Sequence, residues 1–198
     1  LLDLTPCDKC WGYPCEPYGH TSGEVMGHQT WLPGNNNAIT LAADQYFELS
    51  DLYTQSKARD GSLTGMLLFV TTSWCPACVY QAEILNEVYA AYKDRGLTIV
   101  TLVIQDEVGR PATELTAQAY SDKYGWTDIS TVAGSLEYAY WDDPQSSGAF
   151  PLTLFVDLQT MKIYKRQIGA LSSLDATLDD STKFSDVLDE LVAGPFTE

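Results

Sequence analysis

Met66 to Thr71 is a continuous apolar run that ends in polar residues, the pattern of a strand buried on both faces. From Cys78 onward Ala82, Leu85, Val88, Tyr89 and Tyr92 recur at helical spacing, and Lys93, Arg95 and Gly96 suit a helix C-terminus. Leu97 to Ile104 predicts a second buried strand. Pro111 to Tyr124 predicts a second helix with proline in its first turn, closed by Gly125-Trp126, which completes a βαβα unit. Thr131 to Asp143 is of mixed character. Phe150-Pro151 then opens the strand Leu152 to Asp157, and a turn at Leu158-Gln159-Thr160 leads to Lys162 to Ile168 as its antiparallel neighbour. Thr182 to Ala193 closes the chain as an amphipathic helix with Phe184, Val187, Leu188 and Leu191 on one face.

Ahead of this regular pattern, residues 1–37 read as an irregular arm: Pro6, Pro14, Pro17, Pro33, several glycines and Asn35-Asn36-Asn37 interrupt any sustained period. Residues 38–198 read as one domain. Ile39 to Leu41 and Tyr46 to Leu49 are short strand candidates for a hairpin around Ala43-Asp44-Gln45, and Ser50-Asp51-Leu52-Tyr53 opens a helical turn. Strands that alternate with helices and end in a hairpin predict an α/β fold, a mixed central sheet covered by helices on both faces.

Composition narrows the classes of partner. A chain of 198 residues, 45% apolar and 19% charged, can bury a sizeable core and is neither disordered nor fibrous. Its 27 Asp and Glu against 11 Lys and Arg give −16, which opposes nucleic acid and anionic lipid as partners, since phosphate contacts need a basic footprint. The longest apolar runs fall far short of the roughly 20 residues that cross a bilayer, and no signal peptide is expected at Leu1. Few Lys, much Ser, Thr and Tyr, and a cysteine-bearing arm point to an oxidising location outside the cytoplasm: periplasmic, secreted or lipid-anchored at the cell envelope.

The candidate chemistry lies in Ser73-Trp74-Cys75-Pro76-Ala77-Cys78, at the junction between the first buried strand and its helix. A thiol attacks as its thiolate, which unpaired N–H groups and the helix dipole favour at a helix's first turn. Cys75 occupies that place, Pro76 suits the first helical position, and Cys78 falls on the same side, able to close a disulfide or resolve a mixed one. Trp74 would shelter the pair. A Cys-x-x-Cys also begins many zinc sites, but no later pair of ligands completes four, as the two His residues stand at 20 and 28. A purely structural disulfide is the other reading, although a bridge across so short a loop adds little chain-entropy stabilisation.

With these residues the sequence resembles the thioredoxin-like proteins, and within them the extracytoplasmic TlpA-like and redoxin branch, over about residues 38–194. The resemblance rests on Trp74-Cys75-Pro76-Ala77-Cys78 after a buried strand, Leu49-Ser50-Asp51-Leu52 ahead of it, Phe150-Pro151 opening a later strand, and Gly169 after the final hairpin. It implies a thioredoxin-like three-layer fold preceded by the cysteine-containing arm, and the long gap between Cys75 and Pro151 looks like the extra βα unit of TlpA-like and peroxiredoxin-like members. It further implies Cys75 as nucleophile, Cys78 as resolving thiol, and Pro151 as a cis-proline whose neighbouring backbone holds the substrate chain. Trp74, Pro76 and Phe150 are candidate substrate contacts around them. The activity implied is thiol–disulfide exchange on protein disulfides or dithiols, with a further redox partner and with no cofactor. Two departures stand out: Phe69 where thioredoxins keep a buried Asp, and Gln81 where many TlpA-like proteins keep a Glu. Glu83 and Glu87 read as solvated charges of the helix face.

Alternatives remain at this level. Thr72 stands three residues before Cys75 as in the peroxidatic pattern of peroxiredoxins, but Leu68 replaces that pattern's Pro. A redox-silent binding or scaffold protein with a fixed disulfide is a reading of another class. Cys7, Cys10 and Cys15 are candidates for a structural disulfide, yet their spacing with His20 could also present four ligands to zinc.

Overall fold

The computed structural model describes residues 13–15, 17–35, 46–58, 63–136 and 149–194. Its centre is β5 (Gly65–Thr72), eight consecutive buried residues. To one side β5 pairs in parallel with β6 (Leu97–Gln105), which pairs in parallel with β7 (Ser130–Ala133). To the other, β8 (Leu152–Asp157) and β9 (Lys162–Ile168) add antiparallel strands. Four short strands extend the edges: β1 (Tyr18–Gly19) and β2 (Val25–Met26) beyond β9, and β3 (Thr30–Asn35) and β4 (Phe47–Glu48) beyond β7. The order is β1-β2-β9-β8-β5-β6-β7-β3-β4.

Because side chains alternate across a sheet, each central strand feeds two cores. Leu67, Phe69, Ile99, Val103 and Phe155 face the helices α2 (Pro76–Tyr92), α3 (Glu114–Tyr124) and α4 (Phe184–Val192). Met66, Leu68, Val70, Val100, Leu102 and Leu154 face the opposite way, toward Leu49 and Leu52 of α1 (Leu49–Ala58) and the side chains of Met26, Trp31 and Phe47. The result is the expected three-layer α/β arrangement. In α4 the spacing of Phe184, Val187, Leu188 and Leu191 puts every large apolar side chain inward, and the Phe184 ring meets Phe155 edge to face at 5.9 Å.

Three expectations are corrected. The stretch expected as an irregular arm contributes β1, β2 and β3 to the sheet, because β2 pairs with β9, β3 with β7 and β1 with β2, an order that no local period signals. Pro33 is tolerated there beside a register shift, on the part of β3 that β4 does not pair. Helix α3 begins at Glu114, not Pro111: Thr113 and Thr116 cap it reciprocally, and Pro111 instead bridges Gln105. Within the segment of mixed character, Ser130–Ala133 is a fully buried strand whose Ser and Thr side chains hide its pattern. The strand candidate at residues 39–41 lies outside the described residues, and β4 pairs with β3.

Phe155 joins the centre of the sheet to α4 with no exposure to solvent. Phe155→Ala is expected to cost about 3–5 kcal/mol, seen as a fall in the midpoint of urea unfolding at unchanged slope.

Candidate active site

Strand β5 ends at the buried Thr72. There Ser73 N–H donates to the Gln105 carbonyl at 3.0 Å, tying the turn to the end of β6. Cys75 is the N-cap of α2: its backbone is extended, Pro76 takes the first helical position, and the Cys78 N–H points at Cys75 Sγ from 3.1 Å. The two cysteines are disulfide-bonded, with Cα atoms 5.3 Å apart. Their access differs. Cys75 is 5% exposed and Cys78 is fully buried, so an incoming sulfur reaches the pair from the Cys75 side.

Around the disulfide the expected contacts converge in part. Trp74, 46% exposed, donates its indole N–H to Gln105 Oε1 at 2.9 Å and meets the Phe150 ring edge to face at 5.8 Å. The Phe150–Pro151 peptide bond is cis, and Pro151 stands immediately before β8, whose Leu152 is in register with Val70 of β5. The Pro151 carbonyl accepts from Gly169 N–H at 2.9 Å, and Pro76 is exposed beside Cys75. Glu83 and Glu87 are exposed on α2.

Gln81, one turn beyond Cys78, is fully buried and ties three elements together. Its amide donates to Thr153 Oγ1 at 2.7 Å and its carbonyl accepts from Leu171 N–H at 3.1 Å. Helix α2 is thereby pinned to the strand that follows Pro151 and to the loop after β9. Phe69 is buried in the same cluster as both cysteines. Among the described residues the only buried carboxylate is Asp157, which pairs in register with Gly65 at the far end of β5. No buried carboxylate of the described residues lies beside the cysteines.

Tyr120 of α3 closes the same side of the sheet, its hydroxyl 3.0 Å from Thr71 Oγ1. Burial pushes its phenol well above the ordinary value. Gln105, Thr153 and Tyr120 were not singled out by the sequence. A polar Gln at the end of the apolar run 97–104 is the one signal that marks any of them.

Cys15 is disulfide-bonded, which removes one thiolate from the four-ligand zinc arrangement with His20. His20 itself uses its backbone, donating to Glu24 and accepting from Arg166. Cys7 and Cys10 lie outside the described residues.

No protein-family model matches this sequence, and no curated protein matches it. Solved structures do match its fold. A proposed thiol:disulfide interchange protein DsbE from Chlorobium tepidum superposes with a TM-score of 0.55 at 15% identity, over 86% of this chain and 97% of that one. A thioredoxin-family thiol:disulfide interchange protein from Chlorobium tepidum TLS gives 0.54 at 12%, over 90% and 99%. The thioredoxin domain of a thiol-disulfide oxidoreductase from Bacteroides vulgatus gives 0.51 at 16%, over 86% and 98%. The chain has the thioredoxin-like fold.

Gln81→Leu leaves the Thr153 hydroxyl and the Leu171 amide buried without this partner, at about 1–3 kcal/mol for each orphaned group. Urea unfolding and faster hydrogen exchange at Leu171 are the measurements. Since the folded state favours the protonated Tyr120 phenol, its contribution to stability is present below pH ~10 and is lost as pH rises above it. Tyr120→Phe should flatten this part of the alkaline stability profile, at a cost of about 1 kcal/mol at neutral pH.

Proposed function

We propose that this chain is a thiol–disulfide oxidoreductase that exchanges electrons with protein dithiols or disulfides outside the cytoplasm. The observation that carries the reading is the asymmetric Cys75–Cys78 disulfide capping α2, in which Cys75 keeps a small exposure of 5% and Cys78 has none. A helix N-terminus favours the thiolate of the capping cysteine, since the unpaired N–H groups and the dipole stabilise its charge.

In the reducing direction the Cys75 thiolate attacks a substrate disulfide. A Cys75–substrate disulfide forms and one substrate sulfur leaves as thiolate. Cys78, as its thiolate, then attacks Cys75 Sγ, the mixed disulfide breaks, and the second substrate sulfur leaves. Two electrons pass from the dithiol to the substrate, and the two protons given up by the pair end on the substrate thiols. The reverse sequence starts from the disulfide and a substrate dithiol. Trp74, Pro76, Phe150 and Pro151 form the surface on which the substrate chain rests, with Pro151 presenting its flanking backbone. A separate redox partner resets the pair. The extracytoplasmic location is supported by Cys15, a disulfide-bonded cysteine outside the redox pair, because such bonds persist in oxidising compartments.

Cys75→Ser should reduce catalysed insulin-disulfide exchange to the rate of free thiol alone. Cys78→Ala should retain the attack and accumulate a mixed disulfide, detected as the added substrate mass at Cys75. Full exchange activity in Cys75→Ser would overturn the assignment.

A further inference from the structure

Beside the redox turn lies a cleft of about 370 Å³ lined by Ser73, Asp106, Val108, Leu115, Ala119 and Tyr120, with Glu107, Arg110, Thr116 and Lys123 completing its walls. We propose that this cleft is a substrate subsite, which receives one apolar side chain of the polypeptide whose cysteine is joined to Cys75. The proposal rests on the exchange activity above and names the class of substrate that the site prefers.

The first argument is the construction of the cleft's outer wall. Val108 and Leu115, 72% and 81% exposed, line the same cleft and so form a paired apolar wall rather than scattered single residues. The backbone of the loop that carries Val108 is fixed by Asp106. One carboxylate oxygen accepts the N–H groups of Val108 at 3.0 Å and Arg110 at 2.9 Å. The other binds the Arg110 guanidinium, with its Nε and Nη2 both 2.7 Å away. Gly109 supplies the left-handed turn, at φ 81°. Leu115 is fixed in the first turn of a capped helix. The backbone that carries both side chains is ordered before any partner arrives, which lowers the ordering cost of binding.

The second argument is charge. Asp106 and Arg110 neutralise each other, and Glu107 and Lys123 are opposite in sign, so a mostly acidic protein presents a neutral lining here. An apolar side chain fits that lining, and a charged one would lose hydration without gaining a partner.

The third is continuity with the proposed exchange surface. Ser73 is two residues from Cys75, so their Cα atoms are at most about 7 Å apart. Trp74 joins the two regions, packed on Phe150 and bonded to Gln105 immediately before the Asp106 loop. A substrate tethered to Cys75 advances about 3.3 Å per residue when extended, which brings a side chain two or three positions from its cysteine to the cleft. The tether makes that second contact intramolecular, so a weak subsite suffices to discriminate between substrates.

The test compares insulin, a protein disulfide, with 5,5′-dithiobis(2-nitrobenzoate), a small disulfide with no flanking chain. Two variants are used, Ala119→Trp, which fills the cleft from an exposed helix position, and Val108→Ser with Leu115→Ser, which removes the apolar wall without changing charge. Each should lower kcat/KM for insulin about tenfold, through KM, and leave the small-disulfide rate within twofold of the parent. Unchanged insulin kinetics in both variants would overturn the subsite while leaving the exchange activity standing. Equal losses on both substrates would also overturn it, as an effect on the redox pair. A parent protein inactive on both substrates would instead overturn the exchange reading, and the subsite with it.

Discussion

The architecture turns on one junction, where a strand buried on both faces runs directly into the capping residue of a helix. Strand β5 is fixed by β6 and β8 along its length, so the position of Thr72 is settled by the whole sheet. The bond from Ser73 N–H to Gln105 and the proline at the first position of α2 then leave little freedom in where Cys75 lies. Its sulfur faces backbone N–H groups that have no intrahelical partner, and the Cys78 N–H is 3.1 Å away. The chemistry assigned to the pair is thus a product of helix-end physics applied at the edge of a rigid core.

Among the described residues, those packed around that junction are largely neutral. Phe69 lies in the cysteine cluster, and the buried polar side chain on α2 is the amide of Gln81, which cannot exchange a proton at physiological pH. Gln81 uses both ends of its amide on Thr153 and Leu171, so it sets distances between elements rather than charge. Among the described residues, the features that bear on the relative stability of thiolate and disulfide here are the helix N-terminus, the burial of Cys78 and the small exposure of Cys75. The same economy governs the neighbouring cleft, whose one close ion pair serves to shape a loop.

Much of this was readable in the sequence because it is local. The apolar run at 66–71, the strand boundaries at Leu152–Asp157 and Lys162–Ile168, and the apolar stripe of α4 all follow from periods within a few residues. Cys75, Pro76 and Cys78 could be placed at a helix start for the same reason. The edge strands β2 and β3 could not be read, since their order comes from partners about a hundred positions away or more, and β1 is ordered only by pairing with β2. Nor could the roles of Gln81 and Trp74, whose partners lie 72, 90 and 31 positions distant and are chosen by the fold. The start of α3 was misplaced because Pro111 and Thr113 are both acceptable openings, and the reciprocal Thr113–Thr116 cap decides between them.

The central claim is that the Cys75–Cys78 bond is a working redox couple and not a fixed staple. Its reduction potential tests this most directly: equilibrate the folded protein in graded thiol buffers, trap with an alkylating agent, and quantify the labelled peptide by mass. The account predicts reversible two-electron titration between about −270 and −120 mV, the range spanned by thioredoxin-fold reductants and oxidants. A bond that stays closed in the folded protein under strong dithiol reductants would contradict it.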